Sequence, residues 1–133
     1  MPKLFISYAR EDLKICKKIE QALCEKGISV WRDQQSIYGG QQWPKAIGEA
    51  ISSSDFFILV WSRHSAASHF VEFEWNTAVA LKKNVIPCLL DETPLPASLR
   101  AINGIFCDDF EEALPKIFHS LKAENVGAKK QIT

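Results

Sequence analysis

Glu74 is the residue whose type and spacing best support chemistry in this 133-residue chain. It follows Phe70 by four residues and precedes Ala78 by four, so on a helix the three side chains share one face. That face would carry an aromatic wall, a carboxylate and a gap beside the small alanine. A carboxylate in such a setting can stabilise an oxocarbenium-like sugar and hydrogen-bond its hydroxyls, or serve as a general base. The competing reading is that Glu72 and Glu74 are simply acids near a helix N-terminus, stabilised there by ~0.3–1 kcal/mol. Spacing alone leans to that second reading. Glu72 lies roughly 200° around the helix from Glu74, so the two cannot enter one cleft.

Other residues offer recognition rather than bond-making. Arg10 follows the first apolar run and can grip a phosphate with its guanidinium fork, or else pair with Glu11 or Asp12. Trp31 ends the second apolar run and is the tryptophan best placed to stack on a ligand ring. Trp43 and Trp61 read as anchors. Tyr38-Gly39-Gly40 tips a polar loop over residues 33–42, which is either a plain long turn or a contact loop for another protomer. Ser62 and Ser65 lack an evident His–acid partner, which argues against a serine nucleophile. His64 and His69 read as solvated.

Several chemistries are excluded. The first turn has no glycine, so a dinucleotide fingerprint is missing, as are G-K-[ST] and G-x-S-x-G. The third apolar run ends in Trp61-Ser62 rather than in a phosphoacceptor aspartate. Cysteines 16, 24, 88 and 107 have no CxxC spacing, and histidines 64, 69 and 119 complete no zinc pattern. No metal is expected. The thiols read as reduced and mostly buried, as in a cytoplasmic protein. Sixteen basic residues balance sixteen acidic ones, giving zero formal charge and no global attraction for nucleic acid or anionic lipid. No apolar run nears the ~20 residues of a membrane span, and the start of the chain has no signal-peptide core.

The elements that must position these residues alternate. Leu4–Tyr8, Ile28–Trp31, Phe56–Trp61, Val85–Leu90 and Ile105–Cys107 read as strands. Helical periodicity covers Asp12–Lys26 (Leu13, Cys16, Ile19, Leu23), a stretch from Pro44 (Ile47, Ala50, Ile51), Ser68 to about Leu81, and a last helix from Asp109 (Phe110, Leu114, Ile117, Phe118, Leu121). Ser68 reads as a cap, and Asp109 with Glu112 as a capping box. The stretch from Ser62 to Ala67 reads as a polar loop. Pro87 lacks a ladder donor, so its strand is expected near an edge or bulged. The pattern predicts an α/β fold, a three-layer sandwich around a five-stranded parallel sheet. Sites in such folds lie at the carboxyl ends of the strands. One domain is expected over residues 1–123, with 124–133 a frayed tail or the start of a linker to a further domain.

The ordered segments resemble a known family. Phe5-Ile6-Ser7-Tyr8 is similar to the opening strand of Toll/interleukin-1 receptor (TIR) domains. Val30-Trp31-Arg32-Asp33 resembles the family's second strand and the acid that opens its long BB loop, and Gly40-Gln41-Gln42-Trp43 resembles the end of that loop. Ile47 to Ser62 follows I-x-x-A-I-x-x-S-x-x-x-I-x-V-x-S. Ser65 to Ala78 follows S-x-x-S-x-W-V-x-x-E-x-x-x-A, with Phe70 in place of the usual tryptophan. Phenylalanine keeps the apolar face and loses the indole donor. The likeness runs from residue 3 to about 121 and is bacterial in style.

The resemblance implies a flavodoxin-like strand order 2-1-3-4-5. It also implies cleavage of NAD+ at the nicotinamide–ribose bond, giving nicotinamide and ADP-ribose or a cyclic ADP-ribose, with NAD+ as substrate and no cofactor. The family's catalytic glutamate falls on Glu74. Ala9, Arg10, Trp31, Asp33, Ser62 and Phe70 fall on substrate-binding positions. Tyr38, Gly39, Gly40 and Trp43 fall in the loop through which such domains self-associate, in bacterial defence or effector signalling. Two alternatives remain open at this point: a TIR–TIR interaction module without catalysis, and a nucleoside deoxyribosyltransferase-like enzyme.

Overall fold

Five short apolar runs become five parallel strands because each is flanked by a helix that covers one of its faces. A computed structural model describes residues 2–32 and 43–132, the side chains of residues 43–44 and 123–132 excepted. The strands are β1 (Lys3–Ser7), β2 (Ser29–Arg32), β3 (Phe56–Trp61), β4 (Asn84–Leu89) and β5 (Ile105–Phe106), in the order β2-β1-β3-β4-β5. All four pairings are parallel. The helices are α1 (Leu13–Glu25), α2 (Trp43–Ser52), α3 (Arg63–Ala66), α4 (His69–Ala80) and α5 (Phe110–Ile132), with 3-10 turns at Arg10–Asp12 and Ala97–Leu99. The expected fold class and strand order are what the structure shows.

Strand alternation builds two cores. Leu4, Ile6, Ile58, Val60, Ile86 and Cys88 face α1 and α5. Phe5, Phe57, Leu59, Trp61 and Val85 face α2 and α4. β3 is buried at every position, as a central strand covered on both faces must be. α1 and α4 therefore lie on opposite faces of the sheet. The strand order reverses between β1 and β3, and the crevice beyond their carboxyl ends is where such a sheet places its site.

One expectation changes. The polar stretch from Ser62 to Ala67 contains a turn of helix, α3, because Ser62 caps it: its Oγ accepts hydrogen bonds from the amides of His64 and Ser65. The backbone of α5 continues helical to Ile132, past the point at Lys122 where apolar periodicity fades. β4 is the penultimate strand, and the two-residue β5 pairs with it only at Cys88 and Leu89. The Leu90 amide donates to Trp61 O, while Leu89 O accepts from the Cys107 amide. Alternate residues face opposite neighbours, so Pro87 turns its donorless nitrogen toward the β5 side, before β5 begins. Among the described residues, no helix is long and apolar enough to cross a membrane.

Candidate active site

Ser7 ends β1, and its Oγ donates a hydrogen bond of 2.6 Å to Glu74 Oε1, 67 residues away. Both residues are 0% exposed. α4 is set by Ser68, whose side chain accepts from the Val71 amide. From that start Val71, Glu74, Trp75 and Ala78 form the buried stripe of the helix. Glu72 is exposed on the other side. Glu74 thus occupies a core position, which the simple picture of acids near a helix N-terminus does not explain. Burying a carboxylate costs several kcal/mol unless hydrogen bonds compensate, and Ser7 supplies one.

A cleft of about 490 Å³ is lined by Ala9, Arg10, Glu11, Arg63, His64, Ala67, Ser68 and Phe70. Phe70 stands one helical turn before Glu74, so the cleft floor and the buried carboxylate are neighbours on one helix. Arg10 and Arg63 are both exposed and bring two guanidinium groups to the same cleft. His64 Nδ1 lies 3.7 Å from Glu11 Oε2, so this histidine meets a carboxylate rather than bulk water alone. A second cleft, of about 560 Å³, shares Arg63 and His64 and adds Asp12, Ser62, Leu90, Asp91, Glu92 and Thr93.

The wall between the clefts is held by side-chain caps. Ser62 Oγ donates to Asp12 Oδ2 at 2.5 Å, tying the end of β3 to the turn after β1. Ser65 Oγ donates to Val60 O at 2.6 Å. Asp91 Oδ2 accepts from the Arg63 amide at 2.9 Å, and Oδ1 accepts from the Thr93 amide at 2.9 Å. The Thr93 side chain and these two amides hold the Asp91 carboxyl below its ordinary value.

The structure brings Ala9, Arg10 and Phe70 together on one cleft, with Phe70 one helical turn before Glu74. Ser62 is 2% exposed; it lines the second cleft, engaged with Asp12 and the α3 amides. Trp31 is stacked on Phe5 within the second core. Ala78 does not leave a gap: it is 0% exposed within the same core, so no water-sized space adjoins it. Asp33, Tyr38, Gly39 and Gly40 lie outside the described residues, and Trp43 opens α2 with its side chain outside them. Sequence reasoning missed Ser7, Arg63 and the placement of His64. Ser7 did leave a signal: it shares the strand face of Phe5, the face toward α4, in an otherwise apolar run.

Known proteins are similar to this chain in sequence and in fold. The sequence model described as the TIR domain matches residues 4–118. A probable 2' cyclic ADP-D-ribose synthase, TcpO of Methanobrevibacter olleyae, is 28% identical over 94 residues, 68% of this chain. The 2' cyclic ADP-D-ribose synthase BtTIR of Bacteroides thetaiotaomicron is 31% identical over 81 residues, 60% of this chain. The matched stretch spans 28% of the length of each of these relatives. In three dimensions, the TIR domain of the Toll-related receptor TRR-2 from Hydra magnipapillata superposes with a TM-score of 0.72 at 22% identity, covering 91% of this chain and 95% of that one. A sheet ordered β2-β1-β3-β4-β5 and a family match spanning most of the chain lead to one assignment: this protein belongs to the Toll/interleukin-1 receptor (TIR) domain family.

Proposed function

We propose that this domain cleaves NAD+ at the nicotinamide–ribose bond. The observation that carries the proposal is Glu74, a carboxylate set on the buried stripe of α4 one turn below a cleft that presents an aromatic ring and two arginines. Packing gives no reason for an acid at that position. Two relatives named as 2' cyclic ADP-D-ribose synthases support the same chemistry.

In this reading nicotinamide, already cationic in the substrate, departs as a neutral base without a general acid. Positive charge grows on the ribose, and Glu74 stabilises it electrostatically while holding the sugar hydroxyls. Phe70 provides an apolar face for a ring, and Arg10 with Arg63 binds the diphosphate. Attack by water on the ribosyl cation gives ADP-ribose and releases a proton. Attack by a hydroxyl of the same molecule gives a cyclic isomer and also releases one. Because Glu74 is fully enclosed, the substrate reaches it only after a local rearrangement. We assign that step to self-association through the segment bearing Tyr38, Gly39 and Gly40, together with Trp43 at the start of α2. A cytoplasmic setting, where NAD+ is plentiful, belongs to the same proposal.

The enclosure of Glu74 is also the observation that favours the rival reading, a non-catalytic interaction module. One experiment separates the two. Nicotinamide release from NAD+ is followed by chromatography over a ladder of protein concentrations, with Glu74→Gln alongside. Release that rises faster than protein concentration, and falls at least about 100-fold in the variant, supports the enzyme. Self-association with no release at any concentration overturns it, and the product peaks distinguish ADP-ribose from a cyclic isomer.

A further inference from the structure

We infer that Ser7 is a positioning residue for Glu74, an inference that rests on the proposed NAD+ cleavage. The Ser7 hydroxyl donates to Glu74 Oε1 at 2.6 Å, and neither residue touches solvent. β1 is the strand between β2 and β3 and is bonded to both, with Ser7 in register with Leu59. Glu74 is the sixth residue of the twelve-residue α4, and its side chain has three torsions to be fixed. A donor on the sheet selects one orientation of the carboxylate, the one presented to a ribosyl cation. Ser7 touches no reacting atom and acts only through Glu74.

The chain makes the serine unusual. It shares the strand face of Phe5, and that face packs against α2 and α4. A core position on that face calls for an apolar side chain. There the buried Ser7 hydroxyl meets Glu74, the acid on the buried stripe of α4.

The test compares Ser7→Ala, Ser7→Thr and Ser7→Cys with the parent chain and Glu74→Gln in steady-state NAD+ cleavage, after circular dichroism and thermal melting confirm that each folds. Ser7→Ala is expected to lower kcat about 10- to 100-fold while KM changes less than about threefold. Ser7→Thr keeps the donor and is expected to stay within about threefold of the parent kcat; Ser7→Cys, a weak donor, falls between. A Ser7→Ala chain with parental or raised kcat, or with KM raised alone, overturns the inference while a dead Glu74→Gln leaves the reaction assignment standing. A parent chain as inert as Glu74→Gln overturns both. Should Ser7→Ala fail to fold, the ratio of Ser7→Thr to Ser7→Cys decides: equal kcat values overturn the inference.

Discussion

Trp31 lies nearly flat against Phe5, with ring centroids 4.9 Å apart and an interplanar angle of 18°. Phe5 in turn stacks on Phe57 at 5.3 Å and 5°. The three residues are register partners across β2, β1 and β3, so one aromatic row crosses half the sheet. One face of Trp31 is therefore committed to the core, and its first duty is to fasten β2 to β1.

Phe5 is the centre of that row and is 0% exposed. Phe5→Ala is expected to cost about 3–5 kcal/mol of folding stability, since the cavity cannot collapse between two stacked neighbours. Urea unfolding of the two chains measures it. A loss below about 1 kcal/mol contradicts the picture of a rigid aromatic row.

Arg10 and Arg63 approach the same cleft from the turn after β1 and from α3. If both hold the diphosphate, Arg10→Ala and Arg63→Ala each raise KM for NAD+ about tenfold and leave kcat within about twofold. Nicotinamide riboside, which lacks the diphosphate, then shows the same KM with either variant as with the parent chain. Both guanidinium groups are exposed, so the contrast shrinks as salt rises.

Asp91 caps the Arg63 amide and its own loop at Thr93, and its carboxyl is held below the ordinary 3.8. A depressed folded value means that the stabilisation is complete above the unfolded pKa and fades as pH falls through the folded one. Asp91→Ala is expected to melt below the parent chain at pH 7, by a few degrees at most because the group is exposed. The two melting curves then converge as pH drops well below 3.8. A gap that persists at low pH assigns the effect to packing instead.

Of the four cysteines, Cys24 is exposed and Cys16, Cys88 and Cys107 are buried. Burial pushes the Cys16 thiol up to about 12, and a hydrogen bond with Cys107 together with burial raises Cys88. The same hydrogen bond lowers Cys107, but burial closes that thiol to reagent, so an aromatic disulfide reagent at pH 8 is expected to modify Cys24 alone in the folded chain and all four thiols in denaturant. Cys24→Ser removes the fast phase of that titration. Rapid modification of Cys16 in the folded state contradicts the burial.

The fold was legible where one local rule decides. Phe56–Trp61, an unbroken apolar run, is a central strand with the expected ends, and Ser68 caps α4 as its position suggests. The fate of Glu74 was only half legible. Spacing placed it on one face with Phe70 and Ala78. Whether an acid on that face meets water or core depends on Ser7, 67 residues away, and periodicity carries no such information. The same limit explains Arg63 and Asp91, whose meeting joins α3 to the loop after β4. The turn of helix at Arg63–Ala66 was hidden because a polar composition describes a surface loop and a surface helix equally well.

Pro87 carries a consequence for how copies of this chain avoid one another. β5 covers only the last two residues of β4, and beside the uncovered stretch runs a groove of about 420 Å³ lined by Asn84, Val85, Ile86, Ile102, Asn103, His119 and Ser120. An extended peptide entering there to lengthen the sheet would seek the main-chain donor that Pro87 turns toward it and does not have. A proline in the middle of that ladder works as a gatekeeper against runaway strand addition, the failure to which an incomplete sheet edge is most exposed at high local concentration.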